Sequence, residues 1–252
     1  MTSSLPILTF HALDDRPSVI SFSPRVFRHG IARLHESGYK TLRLAEVVSY
    51  LKEGKPFPDK SIVITFDDGY RSVFDEAFPV LRRYNMTATV FLTVGEKGNS
   101  GLDGRLPSLE ERQMLCWEEI MEMHRYGIDF GAHTLTHPDL TRLSFEHAQS
   151  EILDSKAVIE DTLSAPISCF AYPFGRYHRR ILEIVKEHFA CACSDRLDLA
   201  SSGSNLHALE RVEAYYLRSE RLFDIMLTNL FPWYIRACSI PRRIRRAVKL
   251  SL

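Results

Sequence analysis

Short apolar segments alternate with longer amphipathic segments along most of the chain. The apolar segments have the length and composition of buried strands: residues 5–10, 61–66, 87–93, 128–132, 167–171, 189–194 and 209–216. The segments between them place apolar residues at helical spacing: residues 24–37, 44–51, 72–84, 117–126, 144–163 and 177–188. Repeated strand–helix units of this kind predict a parallel α/β architecture.

Capping and turn residues mark the boundaries of several predicted elements. Ser23 and Pro24 form an N-cap followed by proline at the first helical position, and Gly38 closes that helix. Ser144 is the predicted N-cap of the longest helix. Residues 95–107 are rich in Gly, Asn, Asp and Ser and therefore predict a loop, which is a candidate lid.

Composition places the chain among globular proteins. Its 252 residues are 45% hydrophobic and 25% charged, which argues against a disordered, fibrous or membrane-spanning protein. The 32 basic residues balance the 32 acidic residues, so the overall charge indicates no nucleic-acid partner. We find no internal repeat or low-complexity linker, and we predict one domain over residues 1–222 with a C-terminal extension over residues 223–252.

The cysteines and the N-terminal segment bear on the cellular compartment. The five cysteines are odd in number and irregularly spaced, which is typical of buried free thiols in a reducing compartment. The first residues include no basic segment, and their apolar stretch is too short for a signal peptide. We therefore expect a cytoplasmic protein.

Chemically distinctive residues directly follow several predicted strands. Asp67 and Asp68 follow the second strand, His133 follows the fourth, and residues 172–175 follow the fifth. The carboxyl ends of parallel strands meet at one end of a barrel, where barrel enzymes place their active sites. We therefore expect these side chains to share one site.

Two of these features are typical of a metal site. Adjacent Asp67 and Asp68 on an extended backbone point to opposite faces, so one carboxylate can bind metal while the other accepts a proton. His133 and His137 are four residues apart, which on a helical turn places both imidazoles on one face. Taken singly, the aspartates also fit a turn with a helix cap, and the histidines fit ordinary structural roles.

Three motifs in this order resemble those of the polysaccharide deacetylases, carbohydrate esterase family 4 with the NodB-homology domain. They are Thr65-Phe66-Asp67-Asp68-Gly69, His133-Thr134-Leu135-Thr136-His137 and Phe170-Ala171-Tyr172-Pro173-Phe174-Gly175. The resemblance covers roughly residues 5–220. It implies an α/β fold, a distorted (β/α) barrel of the NodB-homology type in a single domain. It also implies metal-dependent removal of acetyl groups from sugars.

The resemblance further implies a role for each matching residue. Asp67 is the expected catalytic base, and Phe174 lies where the family uses a backbone N–H to stabilise the oxyanion. Asp68, His133 and His137 are the expected ligands of a divalent metal ion, for which we favour zinc over cobalt, nickel or iron. The metal would polarise the acetyl carbonyl and activate water, and Asp67 would take that water's proton.

Two departures from the family pattern require substitutes. The family has an arginine that orients the base where this chain has Ala171, and we expect Arg211 to replace it. The late motif that supplies the general acid is not evident. His11 on the first strand, as in the permuted branch with the poly-N-acetylglucosamine deacetylases, is the preferred acid, and His207 is the alternative.

We therefore expect a hydrolase acting on an N-acetylated sugar or glycan precursor. A cyclic-amide or imide hydrolase of the same superfamily, resembling allantoinase, is one alternative, and a catalytically inactive carbohydrate-binding protein is another. Residues 225–252 combine aromatic side chains with six basic and no acidic residues, which predicts peripheral contact with an anionic membrane at its inner face. The competing interpretation is a terminal helix packed on the barrel, because Pro232 and Pro241 interrupt a long amphipathic helix.

Overall fold

Seven parallel strands close into a barrel in the computed structural model, which describes residues 4–95, 106–107 and 109–250. Each strand pairs with its neighbours in sequence, and the last strand pairs with the first, Val212 beside Leu8. The strands are β1 (Ile7–Phe10), β2 (Ser61–Phe66), β3 (Thr89–Leu92), β4 (Asp129–Ala132), β5 (Cys169–Ala171), β6 (Cys191–Leu197) and β7 (Leu209–Glu213). The predicted (β/α) barrel is thus confirmed.

Helices surround the barrel between the strands. They are α1 (Pro24–Glu36), α2 (Leu44–Lys52), α3 (Phe78–Arg83), α4 (Trp117–Arg125), α5 (Phe145–Leu163), α6 (Arg179–His188), α7 (Glu220–Asp224) and α8 (Phe231–Leu250). Ser144 caps α5 by accepting a hydrogen bond from the His147 N–H, as its position predicts. Ser23 precedes α1 with extended backbone but makes no such side-chain bond.

Short elements complete the architecture. Two-residue strands lie at Ser4–Leu5, Ala12–Leu13, Ser21–Phe22, Lys40–Thr41 and Ala200–Ser201. A π-helix at Val73–Ala77 precedes α3, and 3₁₀ turns lie at Leu140–Arg142, Pro173–Gly175, Ala214–Leu217 and Ile225–Leu227. Most of the candidate lid, residues 96–105, lies outside the described residues.

The barrel strands divide their side chains between two cores, because alternate residues of a strand face opposite sides. Ile7 and Val63 belong to an inner cluster, whereas their neighbours Leu8 and Ile64 pack with the helices in the outer cluster. The inner cluster includes three of the free, buried cysteines, Cys169, Cys191 and Cys193. Their small apolar side chains fill the barrel interior.

Two predicted elements differ from the structure at the C-terminal side. Strand β7 stops at Glu213, where the predicted strand continues to residue 216, because residues 214–217 turn into a 3₁₀ helix. Pro241 does not interrupt the last helix: α8 continues through it to Leu250. Phe231 and Ile235 of α8 are buried in the outer core, so the helix packs on the barrel. The boundary at residues 222 and 223 remains a prediction.

Candidate active site and metal centre

Asp67 directly follows β2 and lies buried at the mouth of the barrel. Both of its carboxylate oxygens accept a 2.7 Å hydrogen bond from the two terminal nitrogens of Arg211, a bidentate ion pair. Burial raises the pKa of the Asp67 carboxyl, but the Arg211 guanidinium and nearby imidazoles outweigh it and lower the pKa overall. Asp67 is therefore an oriented carboxylate at neutral pH.

Arg211 lies on β7, and β1 separates this strand from β2, which Asp67 follows. Its Nε donates to the Ser194 carbonyl oxygen at 3.1 Å, which fixes the guanidinium plane. The Asp67 charge holds the pKa of Arg211 above its usual range despite burial. The structure thus places a buried cation beside Asp67 although the chain has Ala171 where the family has arginine.

Asp68, His133 and His137 form a compact cluster beside Asp67. The Oδ1 atom of Asp68 lies 3.4 Å from the Nε2 atoms of both histidines, and the three ligand atoms lie within 4.8 Å of one another. This buried oxygen accepts no hydrogen bond from the part of the chain that the structure describes. A buried carboxylate oxygen without a donor, facing two imidazole nitrogens, fits a divalent cation.

The first histidine is held in a fixed tautomer. His133 Nδ1 lies 2.7 Å from the carbonyl oxygen of Ala171, which can only accept, so Nδ1 carries the proton. Nε2 is then the free ligand atom, and it is the one that faces Asp68. A backbone carbonyl that orients a histidine in this way is typical of metal sites.

The segment between the two histidines is not the helical turn that their spacing predicts. Thr134 and His137 have φ values of 71° and 59°, so the chain curls through left-handed conformations after β4. The carboxylate of Glu151 on α5 accepts hydrogen bonds from the Leu135 and Thr136 N–H groups and from the Thr136 hydroxyl. These bonds satisfy the loop backbone, and the curl brings both imidazoles to one side.

The electrostatics of the cluster agree with metal ligation. Burial raises the pKa of Asp68, but the adjacent imidazoles lower it overall, so the carboxylate is charged. Burial and the neighbouring His133 lower the pKa of His137 to about 4, which leaves its imidazole neutral. Burial lowers the pKa of His133, but Asp68 and Asp67 outweigh it and raise the pKa overall, which favours a positive charge on that imidazole. A divalent cation would supply that positive charge instead.

His11 follows β1 and borders the same cleft. Its Nε2 lies 4.0 Å from Asp67 Oδ2, and the side chain is partly exposed. His207 lies elsewhere: its Nε2 is 3.0 Å from the Phe189 carbonyl oxygen, and it does not line the cleft. The structure therefore brings His11, and not His207, to the residues of the candidate site.

Phe174 sits in the 3₁₀ turn after β5, with a φ of 56°. The turn's hydrogen bonds run from the Gly175 and Arg176 N–H groups, and among the described residues none is donated by the Phe174 N–H. The Phe174 ring packs edge-on against His137, with 4.7 Å between ring centroids. Gly175 is required here, because a Cβ at this position would overlap the Cβ of Asp195.

These residues line a cleft of about 470 Å³ at the carboxyl ends of the strands. Tyr70 and Tyr172 contribute aromatic walls. Asp195, Glu213 and Arg242 also border the cleft and are not among the residues that the sequence predicts there. Glu213 lies two residues beyond Arg211 on β7. Because alternate residues of a strand face the same side, the position of Arg211 also indicates that Glu213 faces the cleft. Arg242 comes from α8 and has no local signal.

Comparison with known proteins places this architecture in a family. The polysaccharide deacetylase family pattern matches residues 54–189, more than half of the chain. YxkH of Bacillus subtilis, named for the same family, is 31% identical over 83% of this chain and 71% of its own length. The poly-β-1,6-N-acetyl-D-glucosamine N-deacetylase of Staphylococcus aureus is 28% identical over 66% of this chain and 58% of its own.

A solved structure agrees with these sequence relatives. The Streptococcus pyogenes deacetylase PplD, solved in complex with acetate, superposes with a TM-score of 0.75. It is 26% identical, and the match covers 84% of this chain and 93% of PplD. The family pattern, the extended match to YxkH and the shared barrel lead to one conclusion: the chain belongs to the polysaccharide deacetylase family.

Proposed function

We propose that the protein is a metal-dependent hydrolase that removes acetyl groups from an N-acetylated sugar of a polysaccharide or glycan precursor. The observation that carries this proposal is that two adjacent carboxylates have different partners. Asp67 is paired with Arg211, whereas Asp68 faces two imidazoles with its Oδ1 atom, which accepts no hydrogen bond within the described residues. One cleft thus contains an oriented base and a separate set of cation ligands.

Asp68, His133 and His137 would hold the metal ion, for which zinc is preferred and cobalt, nickel or iron fit the same donors. When bound, a divalent cation at this site polarises a carbonyl oxygen and lowers the pKa of water. Asp67, kept ionised and aimed by Arg211, accepts the proton of the attacking water.

Two further groups complete the reaction. The Phe174 N–H, which donates to no acceptor among the described residues, stabilises the negative charge that develops on the acetyl oxygen. His11 protonates the nitrogen of the departing amino sugar as the C–N bond breaks. Acetate and a free amine are the products.

The names of the relatives support the substrate class. The S. aureus relative is named for poly-β-1,6-N-acetyl-D-glucosamine, and PplD was solved with acetate, the acid that deacetylation releases. An inactive binding protein has less support, because the charged residues of the site are all present and mutually oriented. A cyclic-amide hydrolase has less support, because the relatives are named as deacetylases. We propose a polymer or precursor of N-acetylglucosamine as the substrate.

Acetate release tests this function directly. Metal-loaded protein, metal-stripped protein and the stripped protein reloaded with zinc are incubated with β-1,6-linked N-acetylglucosamine oligomers. We expect acetate and free amine in equal amounts, loss of both on stripping, and recovery on reloading. Turnover of a cyclic amide, with none of the acetylated sugars, would support the alternative hydrolase instead.

We also propose that the protein is cytoplasmic and that α8 makes peripheral contact with the inner face of an anionic membrane. None of the helices in the described part of the chain is long and apolar enough to span a bilayer. The outer side of α8 exposes Trp233, Ile240 and Ile244, and the Arg236 guanidinium lies 5.6 Å from the Trp233 ring centroid. Exposed apolar side chains beside basic ones favour an interface with anionic lipid.

Vesicle sedimentation tests this contact. The double variant Trp233→Ser with Ile240→Ser leaves the buried Ile235 in place, so α8 keeps its packing. We expect weaker binding to vesicles with anionic lipid and little binding of either protein to neutral vesicles. Equal sedimentation of the variant and the unaltered protein with anionic vesicles would contradict the proposal.

A further inference from the structure

A second cleft, of about 680 Å³, adjoins the candidate active site. The two clefts share four lining residues, His11, Ile20, Glu213 and Arg242. They therefore form one continuous depression that runs from the cation ligands, past His11, to the C-terminal helix. Apart from His11, the residues that line the second cleft have no task in the reaction described above.

The second cleft has one aromatic wall and one aliphatic wall. Tyr215 and Tyr216 follow β7, and their rings meet edge-on with 5.6 Å between centroids. Val19 and Ile20 come from the loop after β1, and Val19 is 76% exposed. An exposed aliphatic side chain and an exposed tyrosine in the lining of one cleft provide two apolar surfaces for a flat ligand.

Both tyrosines and the shared arginine are held in place before any ligand binds. The Arg218 guanidinium lies 4.6 Å from the centroid of the Tyr215 ring. Arg242 lies 5.5 Å from the Tyr216 ring centroid, and its Nη1 donates to the Asp195 carbonyl oxygen at 3.1 Å. Preorganised groups reduce the entropy that a ligand loses on binding.

The direction of the cleft indicates which part of a substrate it would receive. This step rests on the proposed function, in which His11 protonates the sugar nitrogen. The acetyl group then lies toward Asp68 and its histidines, and the sugar ring lies on the His11 side. The rest of a glycan chain therefore continues beyond His11, where the second cleft opens.

The chemistry of the walls selects a neutral sugar. Pyranose rings carry apolar C–H faces, which pack on aromatic rings, and hydroxyl groups, which bond to charged side chains. Glu213 and Arg242 supply one acceptor and one donor group at the junction of the two clefts. The carboxylate of Glu213 disfavours a phosphate or another anion at this point.

We propose that the second cleft is a glycan subsite that binds the sugar ring next to the one being deacetylated. Tyr215 is its specificity-determining residue, and α8 forms part of its wall through Pro241 and Arg242. The protein then prefers oligosaccharides over the monosaccharide.

Chain-length dependence tests the subsite. Acetate release is measured for N-acetylglucosamine and its β-1,6-linked pentasaccharide with the unaltered protein, Tyr215→Ala and Tyr215→Phe. The control is Tyr126→Ala, which removes an exposed tyrosine that lines neither cleft. Calorimetric titration of both sugars into the metal-loaded Asp67→Asn variant, with and without Tyr215→Ala, measures binding without turnover.

We expect tighter binding and a lower KM for the pentasaccharide than for the monosaccharide. Tyr215→Ala weakens pentasaccharide binding by about three- to tenfold, the effect of one lost aromatic contact. Tyr215→Phe keeps the ring and the preference, and Tyr126→Ala behaves as the unaltered protein. Equal binding of the two sugars, or a preference unaffected by Tyr215→Ala, would overturn the subsite. Binding without acetate release would instead count against the proposed function alone.

Discussion

The floor and the rim of the cleft are built on different principles. On the floor, Asp67, Asp68, His133 and Arg211 are each less than 5% exposed and follow or lie on barrel strands. On the rim, Tyr215 is 44% exposed and Val19 is 76% exposed, and both lie outside the strands. The floor consists of buried charged residues held by fixed partners, whereas the rim is largely exposed to solvent.

This difference indicates which properties each region controls. A buried charge is tolerated only with partners, so every floor residue has its position determined by others. Such a region favours chemistry that needs fixed pKa values and short distances. Exposed rim residues can change without unfolding the barrel, and they are suited to recognising the substrate chain.

Substitution of His11 tests whether this residue, at the border of the site, takes part in the deacetylation reaction. In His11→Phe we expect kcat for acetylated amino sugars to fall about 10²- to 10⁴-fold, because the amine leaves without a proton donor. An activated aryl acetate, whose leaving group needs no proton, should lose much less activity. The two substrates are compared in the same assay.

His207→Phe is the matched control for His11. Its imidazole bonds to the Phe189 carbonyl outside the cleft, so we expect deacetylation to continue near the unaltered rate. Equal losses in the two variants, or equal losses on the amide and the aryl ester in His11→Phe, would remove His11 from the role of acid.

Breaking the Asp67–Arg211 pair measures how much the floor depends on paired charge. In Arg211→Met we expect the free energy of unfolding at neutral pH to fall by about 3–5 kcal/mol, because Asp67 is left buried and charged. The lowered pKa of Asp67 stabilises the fold above the pKa of about 4 that Asp has when unfolded. The difference between the two proteins should therefore shrink as the pH falls below that value.

Denaturant unfolding at several pH values provides the measurement, with Arg28→Met as the control. Arg28 pairs with Glu76 on the surface, so its loss should cost about 1 kcal/mol or less. The pH–rate profile gives a second readout. Without Arg211 the pKa of Asp67 rises, so the acidic limb of kcat/KM moves to higher pH. An unmoved limb would show that Asp67 is not the base.

Substitution of Glu151 tests whether a residue outside the floor helps to hold the metal ligands in place. In Glu151→Ala, the loop before His137 loses three hydrogen bonds, and we expect metal affinity to fall about tenfold. Competition with a chelating dye measures this affinity. Glu160→Ala, on the same helix but bonded to the Ile167 N–H, should bind metal as the unaltered protein does. Equal metal affinities in all three proteins would show that Glu151 does not help to hold the metal ligands in place.

The sequence predicts the site best for residues that directly follow a barrel strand. The positions of Asp67, Asp68 and His133 after apolar segments predicted the floor, since parallel strands end together. It failed between His133 and His137, because spacing alone does not distinguish a helical turn from a loop held by the distant Glu151. Arg242 could not be found either, because it reaches the cleft only through the packing of α8.

The most direct test of the central claim is acetate release by the metal-loaded protein and by Asp67→Asn, both carrying the same measured metal content, on β-1,6-linked N-acetylglucosamine oligomers. The account predicts release by the unaltered protein and a fall of about 10²- to 10⁴-fold in Asp67→Asn, because the base is lost while the metal ligands remain. Release at the same rate by both proteins would contradict it.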